Sequence, residues 1–388
     1  MNSAIERLRA ADYNELRQLY DEVFSGNPDS GYLERALPKM WRQDDAHMEK
    51  HLAIRENGKL AAVVGIYPYE TVVAGEKMLF ATVGNVATMP FAREKGYMRK
   101  LMTEAMAQLE QQGVAVSRLG GLRSRYNRYG YECAGQLYAM TVTQRNAKEY
   151  LSSRTARDIG FRPVREEDVQ ILAQVRELYE GSMIHVRRGS NTDFYDTLRA
   201  WDSGVYAAFD GPDFVGYLCV SADGSRIPEL GAIREADAAG ILCRWLEHTG
   251  KEQVQVDCRP WEKSLARDLG SFCENVEVRH ASQFKILRWD MLTGALLRWK
   301  AQQRRLPEGE LTLEIKGWGS LQLSVEGQSA VCRRTQQTGE ISLDPVTATR
   351  LLFGTLEPAL CVPLPPEKQI LMDAWLPLPL SWNDQDRV

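Results

Sequence analysis

Val86-Ala87-Thr88-Met89-Pro90-Phe91-Ala92-Arg93-Glu94-Lys95-Gly96-Tyr97-Met98-Arg99 is the stretch that decides the fold. Val86 to Thr88 reads as a strand end, Pro90 ends it, and the residues after Arg99 place Leu101, Met102, Ala105, Met106 and Leu109 on one helical face. Gln111-Gln112-Gly113 then stops the helix. A strand that runs through a short basic loop into a helix N-terminus makes a cradle for a pyrophosphate, because first-turn N–H groups and the positive dipole end face the anion. Gly96 permits close backbone approach, and the edge of Val86 to Thr88 offers peptide groups to an amide chain such as pantetheine.

The surroundings of this motif read as a duplicated α/β unit. Ile5 to Leu8 is a strand, Asp12 an N-cap, and Leu16, Leu19, Tyr20 and Val23 the buried face of a helix. Pro163 to Asp168, followed by Ile171, Leu172 and Val175, repeats that order. Asn57-Gly58 and Asp210-Gly211 each join two apolar runs as tight hairpin turns. Two copies of one unit are therefore expected to meet near residue 150. Beyond residue 280 the pattern changes: Leu311, Leu313, Ile315 and Leu321, Leu323, Val325 alternate with period two, and a helix over Pro345 to Phe353 is stopped by Gly354. The Pro-rich run Leu376 to Leu380 excludes regular helix.

Composition narrows the partners. The 388 residues are 44% hydrophobic and 26% charged, with a net charge of −4, which disfavours a nucleic-acid partner. The basic run Arg118, Arg123, Arg125, Arg128 is better read as serving cofactor phosphates. Seven scattered cysteines without a CxxC pair read as reduced thiols, and no metal site is expected, since His47 and His51 lack a HExxH glutamate. With neither a signal-peptide core nor a membrane-length apolar run, a cytoplasmic location away from membranes is expected.

The motif resembles that of the GNAT acetyltransferases, Arg/Gln-x-x-Gly-x-Gly/Ala after a strand ending in Pro. Pro90, Arg93 and Gly96 match it, whereas Met98 stands where most members have Gly or Ala. Tyr126-Asn127-Arg128-Tyr129-Gly130-Tyr131 resembles the family's Tyr-x-x-x-Gly-Phe signature. The domain order resembles the enhanced-intracellular-survival (Eis) type of N-acetyltransferase. That implies α/β (α+β) architecture: a catalytic GNAT domain over 1–150, a degenerate GNAT-like domain over 151–279, and a sterol-carrier-protein-like domain over 280–388. It further implies acetyl-CoA as cosubstrate, held by Val86, Ala87, Thr88, Arg93, Glu94, Lys95, Gly96, Tyr97, Met98 and Arg99. Tyr126 would be the general acid and the carboxylate of Val388 the base, while Phe24, Asp29 and Trp41 would line the acceptor site. The resemblance implies a homo-oligomer, possibly a hexamer. The expected reaction is direct acetyl transfer to a primary amine of a small basic molecule, aminoglycoside- or polyamine-like. The alternative is a non-catalytic protein that senses acyl-CoA or binds lipid, which would have no use for a phenol acid.

Overall fold

Hydrogen bonding, more than chain order, defines the units of this protein. A computed structural model describes residues 4–27, 30–153, 157–363 and 366–388. Strands β1 (Glu6–Arg7), β2 (His51–Glu56), β3 (Lys59–Val73), β4 (Glu76–Thr88) and β5 (Val116–Leu119) lie side by side in one sheet. β1 to β4 are antiparallel neighbours, and β4 and β5 run parallel. The helix Tyr97–Gln111 makes the crossover between those parallel strands, burying Leu101, Met102, Ala105 and Leu109 as the apolar spacing predicts.

The sheet is completed from a distance. Beside β5 lies not the next strand in sequence but Ser282–Ile286, which pairs Lys285 with Ser117 and Phe284 with Arg118. Its other edge takes β6 (Glu132–Ala134). In exchange β7 (Leu137–Thr143) leaves the first unit and pairs with Gln253–Cys258 and Asn275–Arg279 of the second. The first unit thus lends β7 to the second and takes in return a strand from beyond residue 279, so ladders cross the chain positions near 150 and 279. Phe284 is fully buried between its neighbours, so the exchange is sealed by core packing as well as by backbone bonds.

The duplicated entry turn has one chemistry in both copies. Asp12 accepts the N–H of Arg9 at 2.7 Å, and Asp168 accepts that of Arg165 at 2.9 Å. Neither aspartate makes a side-chain cap to its helix, Tyr13–Ser25 or Val169–Glu180. The expected N-cap of Asp12 is therefore a closed Arg-x-x-Asp turn instead, with the second carboxylate oxygen of Asp12 held by Arg55.

In the last segment the period-two residues meet across the ladder, Leu311 opposite Leu323 and Leu313 opposite Leu321, all fully buried. The helices Trp289–Gln303 and Pro345–Phe353 cover that face, and the core runs on without a break into Phe80 and Val116 of the first sheet.

Because Phe284 joins strands more than 140 residues away from it in sequence, Phe284→Ala is expected to cost about 3–5 kcal/mol. Urea unfolding followed by far-UV circular dichroism measures it, and an effect under about 1 kcal/mol would show the exchanged strand to be dispensable.

Candidate functional site

The site begins where two parallel strands part. Pairing of β4 with β5 ends at Val83 opposite Leu119. Past that point β4 continues on one side only, with Ala87 facing Val63 and Thr88 facing Ala62. A bulge at this position carries Asn85 into a left-handed conformation (φ 52°). The opposite edge of residues 84–88 has lost its neighbour, which frees peptide groups for a ligand.

Two cavities open from this fork and share Val86 and Arg125 in their walls. The larger, about 710 Å³, runs along the loop after β4 and is lined by Thr88, Arg93, Glu94, Gly96, Tyr97, Met98 and Arg99, with Arg128 and Tyr129 opposite. Glu94 (φ 65°) and Gly96 (φ 78°) both take left-handed backbone, so the loop curls into a concave turn at the N-terminus of the helix Tyr97–Gln111. Such a turn, with Arg93, Arg99, Arg125 and Arg128 around it, fits a polyanionic group.

The second cavity, about 440 Å³, lies on the other side of Val86 and holds Tyr126, Phe24, Asn85, Arg118 and Val388. Tyr126 is almost wholly buried, and its ring fits because Gly121 has no side chain: a Cβ there would stand 2.7 Å from Tyr126 Cε2. Burial pushes the Tyr126 phenol above its ordinary pKa, against the opposing charge of Arg125. The hydroxyl therefore keeps its proton at neutral pH.

The C-terminus reaches this place across the whole molecule. A Cβ on Gly84 would lie 2.8 Å from Val388 Cγ2 and 3.5 Å from its carboxyl carbon, so the terminus rests on the fork itself. Asp386 pairs with Arg188 at 2.8 Å and accepts the hydroxyl proton of Tyr179 at 2.9 Å, both in the second unit. Trp382 stacks on Phe80 at 5.7 Å, Gln385 Nε2 donates to the carbonyl of Ala200, and Lys39 Nζ donates to that of Gln385. Burial opposes ionisation of Asp384, but Arg387, Arg226 and Arg118 outweigh it and hold its carboxyl below the usual range.

The floor of the cavity is fixed by a short relay. Asn85 Nδ2 donates to Tyr67 Oη at 3.0 Å, which lies 2.9 Å from His51 Nε2, while His51 Nδ1 faces the Met48 carbonyl at 3.1 Å. Only Nδ1–H can satisfy that carbonyl, so Nε2 accepts from Tyr67 and the ring is neutral. Burial agrees, lowering the His51 pKa to about 4.

Several expected residues stand elsewhere. Ala87 is buried against the core with only its backbone at the fork, and Lys95 turns away to Glu56 at 2.7 Å. Trp41 packs edge-on against Tyr13 and Tyr20 and does not line the cavity; Trp201, from the second unit, supplies the indole there. Asp29 lies outside the described residues. Arg123 is tied to Glu132 at 2.5 Å and is not available to phosphates, and Arg118 is buried in the acceptor-side cavity. Tyr131 is a core residue bonded to Ser117, whereas Tyr129 lines the larger cavity. Gly84, Asn85 and Trp201 carried no motif. The bulge that turns Asn85 is visible only as a failed register between two strands.

Residues 4–134 match the family model described as acetyltransferase (GNAT) domain. These residues are similar to that domain, and the fork of β4 and β5 lies inside the matched region. No curated protein matches the sequence. Among solved structures, the chain is similar in fold to a GCN5-related N-acetyltransferase from Kribbella flavida, with TM-score 0.70, 17% identity and coverage of 100% of this chain and 98% of that one. A GCN5-related N-acetyltransferase from Anabaena variabilis gives 0.67, 17% and 98% of both chains. Eis1 from Mycobacterium abscessus gives 0.65, 16% and 100% of both. The tandem-GNAT α/β architecture with an added segment therefore extends over the full length of these relatives.

Neutral His51 makes a pH signature for this domain. The unfolded chain protonates the ring near its ordinary pKa of 6.5 and the folded one only near 4, so the unfolded state binds more protons between them and stability falls as pH drops through that window. His51→Gln is expected to flatten this slope in urea midpoints measured from pH 7 to 4. An unchanged slope would show that the imidazole is not held neutral.

Proposed function

We propose that acetyl passes directly from acetyl-CoA to a primary amine seated in the 440 Å³ cavity, with Tyr126 as acid and the Val388 carboxylate as base. The observation that carries this reading is that a protonated phenol and the chain terminus line one cavity that opens, across Val86, on the basic groove. The peptide edge of residues 84–88 and the turn from Arg93 to Arg99 would hold the pantetheine and pyrophosphate parts of the cosubstrate.

Chemically, the amine must lose a proton before its lone pair can attack the thioester carbon. The Val388 carboxylate accepts that proton. The new N–C bond forms as the C–S bond breaks, Tyr126 Oη donates its proton to the departing sulfur, and exchange with solvent then returns a proton to the phenolate and removes the one taken up by the Val388 carboxylate. No covalent enzyme intermediate is needed, which agrees with the absence of cysteine from the walls of both cavities among the described residues.

The second unit serves this site by support. Its cavity beside Gly231 and Ala238, about 690 Å³, is lined by Glu177, Glu235 and Glu262 with no Lys or Arg among the described residues, a charge that repels phosphates. We assign it as a degenerate copy that anchors the tail through Arg188 and lends Trp201. Residues 280–388 are assigned a sterol-carrier-like fold, supported by the four-stranded sheet with one helix-covered apolar face.

Tyr126→Phe is expected to lower kcat about 10²–10⁴-fold with CoA affinity within about twofold of the parent, by thiol release and calorimetry. Adding a single glycine after Val388 shifts the carboxylate off the fork and is expected to cost about as much. Full activity in both variants would remove the acid–base assignment.

A further inference from the structure

Arg118 is buried to 2% exposure, yet no carboxylate lies within 4.0 Å of it among the described residues. Its Nε donates to Ser282 Oγ at 2.8 Å, and its Nη1 has no hydrogen-bond partner. The comparably buried Arg188 and Arg259 both have one: Arg188 pairs with Glu229 and Asp386, and Arg259 with Glu262. A guanidinium withdrawn from water without a hydrogen-bonded anion is costly; burial and Arg387 disfavour its charge, and the carboxylates of Asp384 and Asp386 offset them only in part. Arg118 is also a wall residue of the acceptor cavity.

The rest of that wall has the same sign. Arg125 and Arg387 join Arg118, and no Asp or Glu side chain lines the cavity among the described residues. The terminal carboxylate is the one anion there, and it makes no ion pair within 4.0 Å among the described residues. A polycation would meet three guanidinium groups, of which Arg387 is paired with Asp384 at 2.6 Å, while Arg118 and Arg125 have the terminal carboxylate as the one anion in the wall among the described residues. Phe24, Tyr32 and Trp201 complete the cavity with aromatic surface. Trp201 holds a left-handed backbone (φ 63°), unusual for a bulky residue and sustained only where the surroundings fix it.

We infer that the acceptor is a carboxylate-bearing monoamine with an apolar or aromatic body, its carboxylate received by Arg118 and its body by the aromatic wall. This rests on the assignment of the cavity as the amine site and departs from an aminoglycoside- or polyamine-like acceptor. Phenylalanine, phenethylamine and spermine separate the alternatives, the first two differing by the carboxylate alone. With the full chain and acetyl-CoA, thiol release is expected to give phenylalanine a kcat/KM at least ~10-fold above that of phenethylamine, the scale of one charge-assisted bond.

In Arg118→Met, with folding checked by circular dichroism, that ratio is expected to fall to within about twofold, and Arg118→Lys to restore part of it. Phenethylamine or spermine turned over as well as phenylalanine by the wild-type chain would overturn the inference, whatever the variants do. So would a ratio unchanged in Arg118→Met. Calorimetry with the CoA-loaded protein keeps the two readings apart. Preferential phenylalanine binding without thiol release from any amine upholds the carboxylate site and removes the transferase assignment; brisk turnover of spermine does the reverse.

Discussion

The buried ion cluster of Arg188 with Asp386 and Glu229 is what the functional geometry hangs on. All three are nearly excluded from water, and Arg188 also lies 3.6 Å from the ring centre of Tyr179. A buried pair of this kind adds little net stability compared with apolar packing, but losing one partner leaves a stranded charge and costs about 3–5 kcal/mol. Its value is therefore specificity of place. It fixes the last three residues against the second unit, so that a chain end, usually the least ordered part of a protein, is held on the fork between β4 and β5.

That constraint explains why the second unit is retained although its own cleft is acidic. Arg188, Glu229 and Tyr179 all come from it, as does Trp201 in the acceptor wall. Exchange of Ser282–Ile286 for β7 ties the two units through backbone ladders, so the tail anchor and the fork cannot drift apart. Sheet completion and the placing of the terminal carboxylate are two results of the same interlocking.

How much of this was legible in the sequence follows from the range of each interaction. Local signals read well: the helix after Gly96, the turns at Asn57-Gly58 and Asp210-Gly211, and the alternation of Leu311, Leu313 and Ile315 depend on neighbours a few residues away. Where a motif named the backbone, as from Arg93 to Arg99, most residues line the groove. The exchanged strands were hidden because a short apolar run does not specify which partner it joins. Side-chain direction was hidden likewise. Lys95 and Arg123 are basic residues in a basic loop, and only tertiary contacts turn them to Glu56 and Glu132.

Arg118 shows the sharpest case of that limit. In sequence it is one of four arginines with a shared duty toward phosphates, but it lies on β5, buried on both faces, while Arg125 and Arg128 stand on the helical turns after that strand and line the groove. There it meets Ser282 from the exchanged strand, a hydroxyl that can accept one bond and cannot neutralise charge. Its Nη1 is left without a partner, and the residue lines the smaller cavity. The basic run is thus shared unevenly between the two cavities: Arg118 lines the smaller alone, Arg128 the larger alone, and Arg125 stands in the wall of both.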